Sequence, residues 1–165
     1  MSSTQVTENN RELCVILRLS KVKLFSLVQN HHNYHITFKI KNQICSSQIK
    51  PIEKQTIKYS EIHLFDLTTN PILEISLLKD RIFLNPEEIC SSSIEFNLNE
   101  QKTTDWFTLL KAKKEVGKVL INYFIEEKSE NFSKIKILRE VDLAREEVKF
   151  IIKKYFKKLQ KLKEI

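Results

Sequence analysis

The sequence predicts an all-β fold, an eight-stranded antiparallel β-sandwich, with an amphipathic α-helix at its C-terminal end. Three observations carry that expectation. The first is a closing phrase around the only tryptophan and the only glycine of the chain: Trp106-Phe-Thr-Leu-Leu110, a lysine-rich turn, then Gly117-Lys-Val-Leu-Ile-Asn-Tyr-Phe-Ile125. β-Branched and aromatic residues suit a pleated, half-buried surface, so this phrase reads as a hairpin. The second is alternation: Leu13, Val15, Leu17 and Leu19 alternate with Cys14, Ile16, Arg18 and Ser20, and Ile36, Phe38 and Ile40 with Thr37, Lys39 and Lys41, the period of strands with one wet face. The third is a change of period near residue 141, where apolar residues begin to recur at helical spacing.

The remaining strands follow from the same rule. They are expected at Cys45 to Lys50, Tyr59 to Asp66, Ile72 to Leu78 (Leu73, Ile75 and Leu77 inward), Ser92 to Leu98 (Ile94, Phe96 and Leu98 inward), Asp105 to Leu110 and Gly117 to Glu126. With one Gly and three Pro, the turns must use Asn, Asp, Ser and Lys, as in Gln29-Asn-His-His-Asn33, Thr68-Thr-Asn-Pro71 and Asn85-Pro86. Eight such strands call for two packed sheets. At 165 residues the chain is expected to hold a flexible start, 1–10, one sandwich, 11–126, and a linker with a basic helix, 127–165.

Composition excludes much chemistry. Cys14, Cys45 and Cys90 are far apart and show no CxxC spacing, so neither a zinc site nor a disulfide framework is expected and a reducing compartment is. The N-terminal ten residues lack an apolar signal core, and no apolar run approaches the ~20 residues that span a bilayer; a cytoplasmic location is the expectation, and Asn131-Phe-Ser133 is read as a chance glycosylation match. A single Gly leaves no P-loop, no GxGxxG turn and no nucleophile elbow. His31, His32 and His35 read as a turn cluster rather than a metal site, His63 as a packed strand residue rather than a base, and Ser91 to Ser93 have no His and acid to pair with. No catalytic residues, cofactor or metal ligands are expected.

The order of weaker signals along residues 11 to 126 resembles the C2 domain family. Val22-Lys-Leu24 follows the first strand, Asn33-Tyr-His-Ile-Thr-Phe38 stands where the family has Ser-Asp-Pro-Tyr-Val, and Tyr59-Ser-Glu61 where it has Trp-Asn-Glu. Leu73-Glu-Ile-Ser-Leu77, then Glu87-Glu-Ile-Cys-Ser91 in place of Asp-Asp-aliphatic-aliphatic-Gly, and the closing hairpin complete the series. The resemblance implies a sandwich whose loops at one end hold calcium through clustered aspartates in the calcium-binding members. Here the aligned positions carry Asn33, Lys79 and Arg81, with Asp80 between the two cations and acid kept only at Glu87 and Glu88. A hard cation wants six to eight oxygen ligands, so a calcium-independent member is implied.

Two surfaces are left as candidates for binding. Residues 127–165 carry 12 Lys and Arg against 7 Asp and Glu, whereas residues 1–126 carry 16 against 14, so the excess positive charge lies mostly in the tail. There Val141, Ala144, Val148, Ile151, Tyr155 and Leu162 follow heptad a and d positions, widened by Ile152 and Leu159. Lys158 interrupts the d series and Tyr155 is bulky for a two-stranded seam, which favours docking on a partner protein or on the sandwich over a symmetric coiled coil. On the sheet, Lys39, Lys41, Lys50, Lys54 and Lys58 are a candidate face for acidic phospholipids, although no exposed apolar insertion loop is expected beside them.

The expectation is therefore a non-catalytic, calcium-independent scaffold module. It would dock into a larger assembly, cytoskeletal or ciliary, through its C-terminal helix. The alternative is a peripheral membrane protein that meets acidic lipid through the basic face. Nucleic acid is the least expected partner, since aromatic platforms and arginine base readers are lacking.

Overall fold

The computed structural model describes residues 12–25, 32–67, 72–97, 102–128 and 132–163. The expected start at 1–10, turn residues 29–31 and 68–71, Leu98 and Asn131 lie outside them. Among the described residues, nine strands and one helix follow in order: β1 (Leu13–Leu24), β2 (Asn33–Ile40), β3 (Gln43–Ser46), β4 (Lys50–Pro51), β5 (Thr56–Leu67), β6 (Ile72–Lys79), β7 (Glu87–Glu95), β8 (Lys102–Lys111), β9 (Lys114–Glu127) and α1 (Phe132–Lys163).

The strands form two antiparallel four-stranded layers, β3-β2-β6-β7 and β8-β9-β1-β5, with β4 paired to β2. One register pair, Ser91 with Leu110, joins β7 to β8. At the opposite margin the Gln43 side chain acts as a rung between β3 and β5: its Nε2 donates to the Asp66 carbonyl at 2.8 Å and its Oε1 accepts the Asp66 N–H at 2.8 Å. The sandwich is thus stitched at both sides, close to a flattened barrel.

Alternation produces the core. Val15, Leu17 and Leu19 of β1, Ile36, Phe38 and Ile40 of β2, Leu73, Ile75 and Leu77 of β6, and Val119 and Ile121 of β9 are all fully buried between the layers, each such side chain stabilising by about 1.5–3 kcal/mol. Ile94 and Phe96 are buried as expected, and Phe96 meets Tyr123 edge to face at 4.8 Å. Gly117 sits where β9 runs between Leu24 and Leu109. A Cβ there would lie 2.6 Å from the Lys23 carbonyl oxygen.

Two strand boundaries differ from expectation. The predicted strand Cys45 to Lys50 is two pieces, β3 and β4, because Ser47 turns the chain inward: its N–H donates to the Ile36 carbonyl at 2.7 Å and its hydroxyl accepts the Ile36 N–H at 2.8 Å. Nine strands result instead of eight. β7 begins at Glu87 rather than Ser92, after a register shift at Leu77/Leu78 that places Glu87 opposite Lys79, an opposite-charge cross-strand pair. The turns use lysine as expected: Lys41, Lys54 and Lys113 stand at positive φ. The β8–β9 hairpin closes on Ala112-Lys113, both left-handed, which matches the twist of a type I′ turn without the usual Asn-Gly.

Candidate functional site

The two ends of the sandwich are unlike. At one end lie the 52–55 turn, the 80–86 loop and the Ala112-Lys113 turn, together with the end of β1 and the start of β2. The other end holds the start of β1 and the end of β9, with Leu13 opposite Glu127.

Helix α1 runs 32 residues, about 48 Å at 1.5 Å per residue, and begins well before the predicted apolar stripe does. It touches the sandwich at two described places. Near its start, the Lys136 ammonium donates to Gln43 Oε1 at 2.6 Å and reaches Asp66 Oδ2 at 3.4 Å, while Lys128 meets Asp66 Oδ1 at 2.8 Å. Burial opposes ionisation of Asp66, but the two lysines outweigh it and hold the carboxyl below its ordinary value. About 28 Å further along, Tyr155 lies 6.4 Å from the Phe83 ring, and the Lys158 ammonium stands 3.0 Å over that ring. The helix therefore spans the sandwich from one end to the other.

Its apolar stripe is not covered. Val141, Val148, Ile151, Ile152, Tyr155, Leu159 and Leu162 are between 41% and 65% exposed, Ala144 is exposed as well, and Ile137 and Phe156 add to the open apolar surface. Of these stripe residues, Ile151 and Tyr155 line a cleft with the 80–86 loop, yet both remain more than two-fifths exposed. Lys158, which breaks the heptad, is the residue that caps Phe83.

The 80–86 loop is what sequence reasoning missed. Ile82, Phe83 and Leu84 are three consecutive exposed apolar residues, at 56%, 71% and 64%, and the loop is closed by Arg81 Nε donating to the Asn85 carbonyl at 2.8 Å. Phe83 has φ 65°, an uncommon backbone state for an aromatic residue. An exposed apolar loop does exist, contrary to expectation. Its signal was an apolar triplet between Arg81 and Asn85-Pro86, too short to show either period.

The five candidate lysines do not converge. Lys50, Lys54 and Lys58 line a shallow groove with Pro51, Glu53 and Thr56, and Lys50 lies 5.8 Å over the Tyr59 ring. Lys39 and Lys41 are elsewhere: pairing of Tyr34 with Lys50 fixes the groove at the start of β2, and Lys39 lies five residues, about 17 Å, along the strand, 4.0 Å from Glu74. Other cations make up the difference near the loop end. Lys23 and Lys118 are register partners on the outer face, and Lys21, opposite Lys58, stands 5.5 Å over Trp106.

Several positions aligned with calcium ligands are tied together through their backbones. The Asp80 N–H donates to the Asn33 carbonyl at 2.8 Å, and Lys79 stands between Tyr34 and Glu87. Among the described residues, no group of three or more His, Cys, Asp and Glu side chains is placed to hold a metal ion. His63 is buried against Phe38, 5.1 Å between ring centroids, with Glu61 Oε2 3.3 Å from Nε2 and Glu61 Oε1 accepting the Gln48 N–H at 2.7 Å. This pair is sealed in the core. None of the three cysteines is in a disulfide. Burial, with nearby acids, pushes Cys14 up to about 11 and Cys90 up to about 12. Among the described residues no helix is long and apolar enough to cross a membrane.

This architecture is a C2 fold. The chain is similar to the first C2 domain of plant Extended Synaptotagmin 1, at 16% identity and a TM-score of 0.59 over 71% of this chain and 96% of that one. It is similar to a C2 domain-containing protein at 11% identity and a TM-score of 0.62, over 73% and 93%. The paired C2 domains of Extended-Synaptotagmin 2 match at 18% identity and a TM-score of 0.58, over 82% of this chain and 50% of that one. No family model matches the chain, and no curated protein does. At such identities the likeness is one of fold.

Proposed function

We propose that this C2 module is non-catalytic and calcium-independent, and that it attaches to acidic membrane surfaces through the loop end of the sandwich. The observation that carries this reading is the exposed Ile82-Phe83-Leu84 tip beside the last turns of α1. Burying an Ile, Phe or Leu side chain yields about 1.5–3 kcal/mol, and each lysine near an acidic leaflet adds about 1 kcal/mol. Arg81, Lys79, Lys50, Lys54, Lys58 and Lys158 belong to the same end of the molecule and supply the charge. An amphipathic helix with lysines beside an apolar stripe suits the same interface.

Vesicles of phosphatidylcholine with and without phosphatidylserine test this. The full chain is expected to sediment with the acidic vesicles in a salt-sensitive way, and Phe83→Asp together with Leu84→Asp to abolish that capture. Equal sedimentation with neutral vesicles, or undiminished capture of the double variant, would overturn the reading.

A second reading has its own support: Ile137, Val141 and Val148 are exposed on the part of α1 that precedes the turns beside the loop tip, as a docking face for a protein partner would be. In that case the module is a scaffold element of a cytoplasmic, cytoskeletal or ciliary assembly. Capture of a partner that survives Phe83→Asp and fails with Val141→Asp together with Val148→Asp would favour it.

A further inference from the structure

Between the 80–86 loop and α1 lies a cavity of about 170 Å³, lined by Arg81, Ile82, Phe83, Ile151, Tyr155 and Lys158. Four of these side chains offer apolar or aromatic surface and two carry positive charge; no acid is among them. The volume is close to that of an apolar cavity that holds benzene. It suits one ring or about six carbons of a chain, and is below the usual range of a nucleotide or drug-sized pocket. Two cations beside an apolar wall act at a lower effective dielectric than on open surface, so an anion is attracted there more strongly than by scattered lysines. The loop holds Phe83 at φ 65° against Tyr155 and under Lys158. Such uncommon backbone states cluster at ligand clamps and switch regions.

We propose that this cleft binds a single anionic amphiphile, its phosphate or carboxylate head on Arg81 and Lys158 and one short stretch of chain against Ile82, Phe83, Ile151 and Tyr155. The ligand class goes beyond attachment to a bilayer, because a monomer in solution satisfies every contact. The apolar lining favours the chain, and the two cations among the lining residues favour the charge.

Isothermal titration of the full chain tests it with three probes below micellar concentration: dihexanoyl phosphatidic acid, dihexanoyl phosphatidylcholine and inorganic phosphate. The acid is expected to bind at one site, the choline lipid at least about tenfold more weakly, and phosphate alone without measurable heat. Lys158→Gln and Tyr155→Ala, both read with circular dichroism to verify the fold, are each expected to weaken the acid about tenfold. Equal binding of the two lipids, binding of phosphate as tight as that of the acid, no binding of the acid, or unchanged affinity in both folded variants would overturn the proposal. If the acid fails to bind while phosphatidylserine vesicles still capture the protein, the cleft falls and the membrane reading stands; binding of the acid without vesicle capture supports the cleft alone.

Discussion

Gly117 shows how much one residue can carry. It is the only glycine, yet it is not at positive φ; its role is room, because the Lys23 carbonyl lies where a Cβ would go. Gly117→Ala is expected to cost about 1–3 kcal/mol, the range for overpacking a tight site, measured by urea unfolding. That a glycine mattered here was visible from its place at the head of an otherwise β-branched strand. Asp66 was not visible in the same way, because its partners Gln43, Lys128 and Lys136 are brought to it only by the closed margin of the sandwich and the start of α1. Its carboxyl is held below the ordinary value, so it stabilises the fold above about pH 4, the unfolded carboxylate value, and this is lost as pH falls through the lower folded value. Asp66→Asn removes that part of the acid dependence; the effect is expected to stay near ~1 kcal/mol or below, since the carboxylate is partly exposed. At pH 8 the Cys14 and Cys90 thiols are expected to resist alkylation until the protein unfolds, because the thiolate is the reactive form and burial disfavours it.

At the scale of elements, periodicity was informative and covering was not. The spacing of Val141, Val148, Ile151, Tyr155 and Leu162 announced a helix with an apolar face, but no pattern within a helix says what lies against it. Most of that face proves open. It follows that Val148→Asp with Ile152→Asp, at exposed positions outside the cleft, changes unfolding free energy by no more than about 0.5 kcal/mol, while capture by acidic vesicles falls. A thermal melt and a sedimentation assay on the same variant read the two quantities. A large loss of Tm would instead place these residues in a packed interface. The Ile82-Phe83-Leu84 tip was illegible for a related reason: three apolar residues in a row fit a short buried strand as well as an exposed loop. Only the pairing of Lys79 with Glu87, which ends β6 and starts β7, fixes the triplet outside the sheet.

For the whole molecule, alternation declared the all-β class and most inward faces, from Leu17 to Ile121, because a wet face and a dry face impose period two. It could not declare the order of neighbours, since nothing in the period of β1 names β5 and β9 as its partners. Nor could it test the grouping of the five lysines as one candidate face, from which register separates Lys39 and Lys41. Cations at Lys79 and Arg81 bear on metal binding by the whole loop end. Millimolar calcium is expected to leave Tm unchanged, whereas a site with Kd near ~10 µM would add roughly 2.7 kcal/mol at 1 mM; differential scanning fluorimetry with and without calcium decides it.

The placement of β1 between β5 and β9 sets a schedule for biosynthesis. β1 leaves the ribosome first, but one of its two flanking strands is the last to be made. At about 5–20 residues per second, the hundred or so residues between them take on the order of 5–20 s. During that time β1 has β5 alone beside it, and its other edge presents a row of unanswered amides and carbonyls. Nascent chains arrested before residue 114 should therefore be sensitive to protease and bound by holding chaperones, and release of the completed hairpin should end both together.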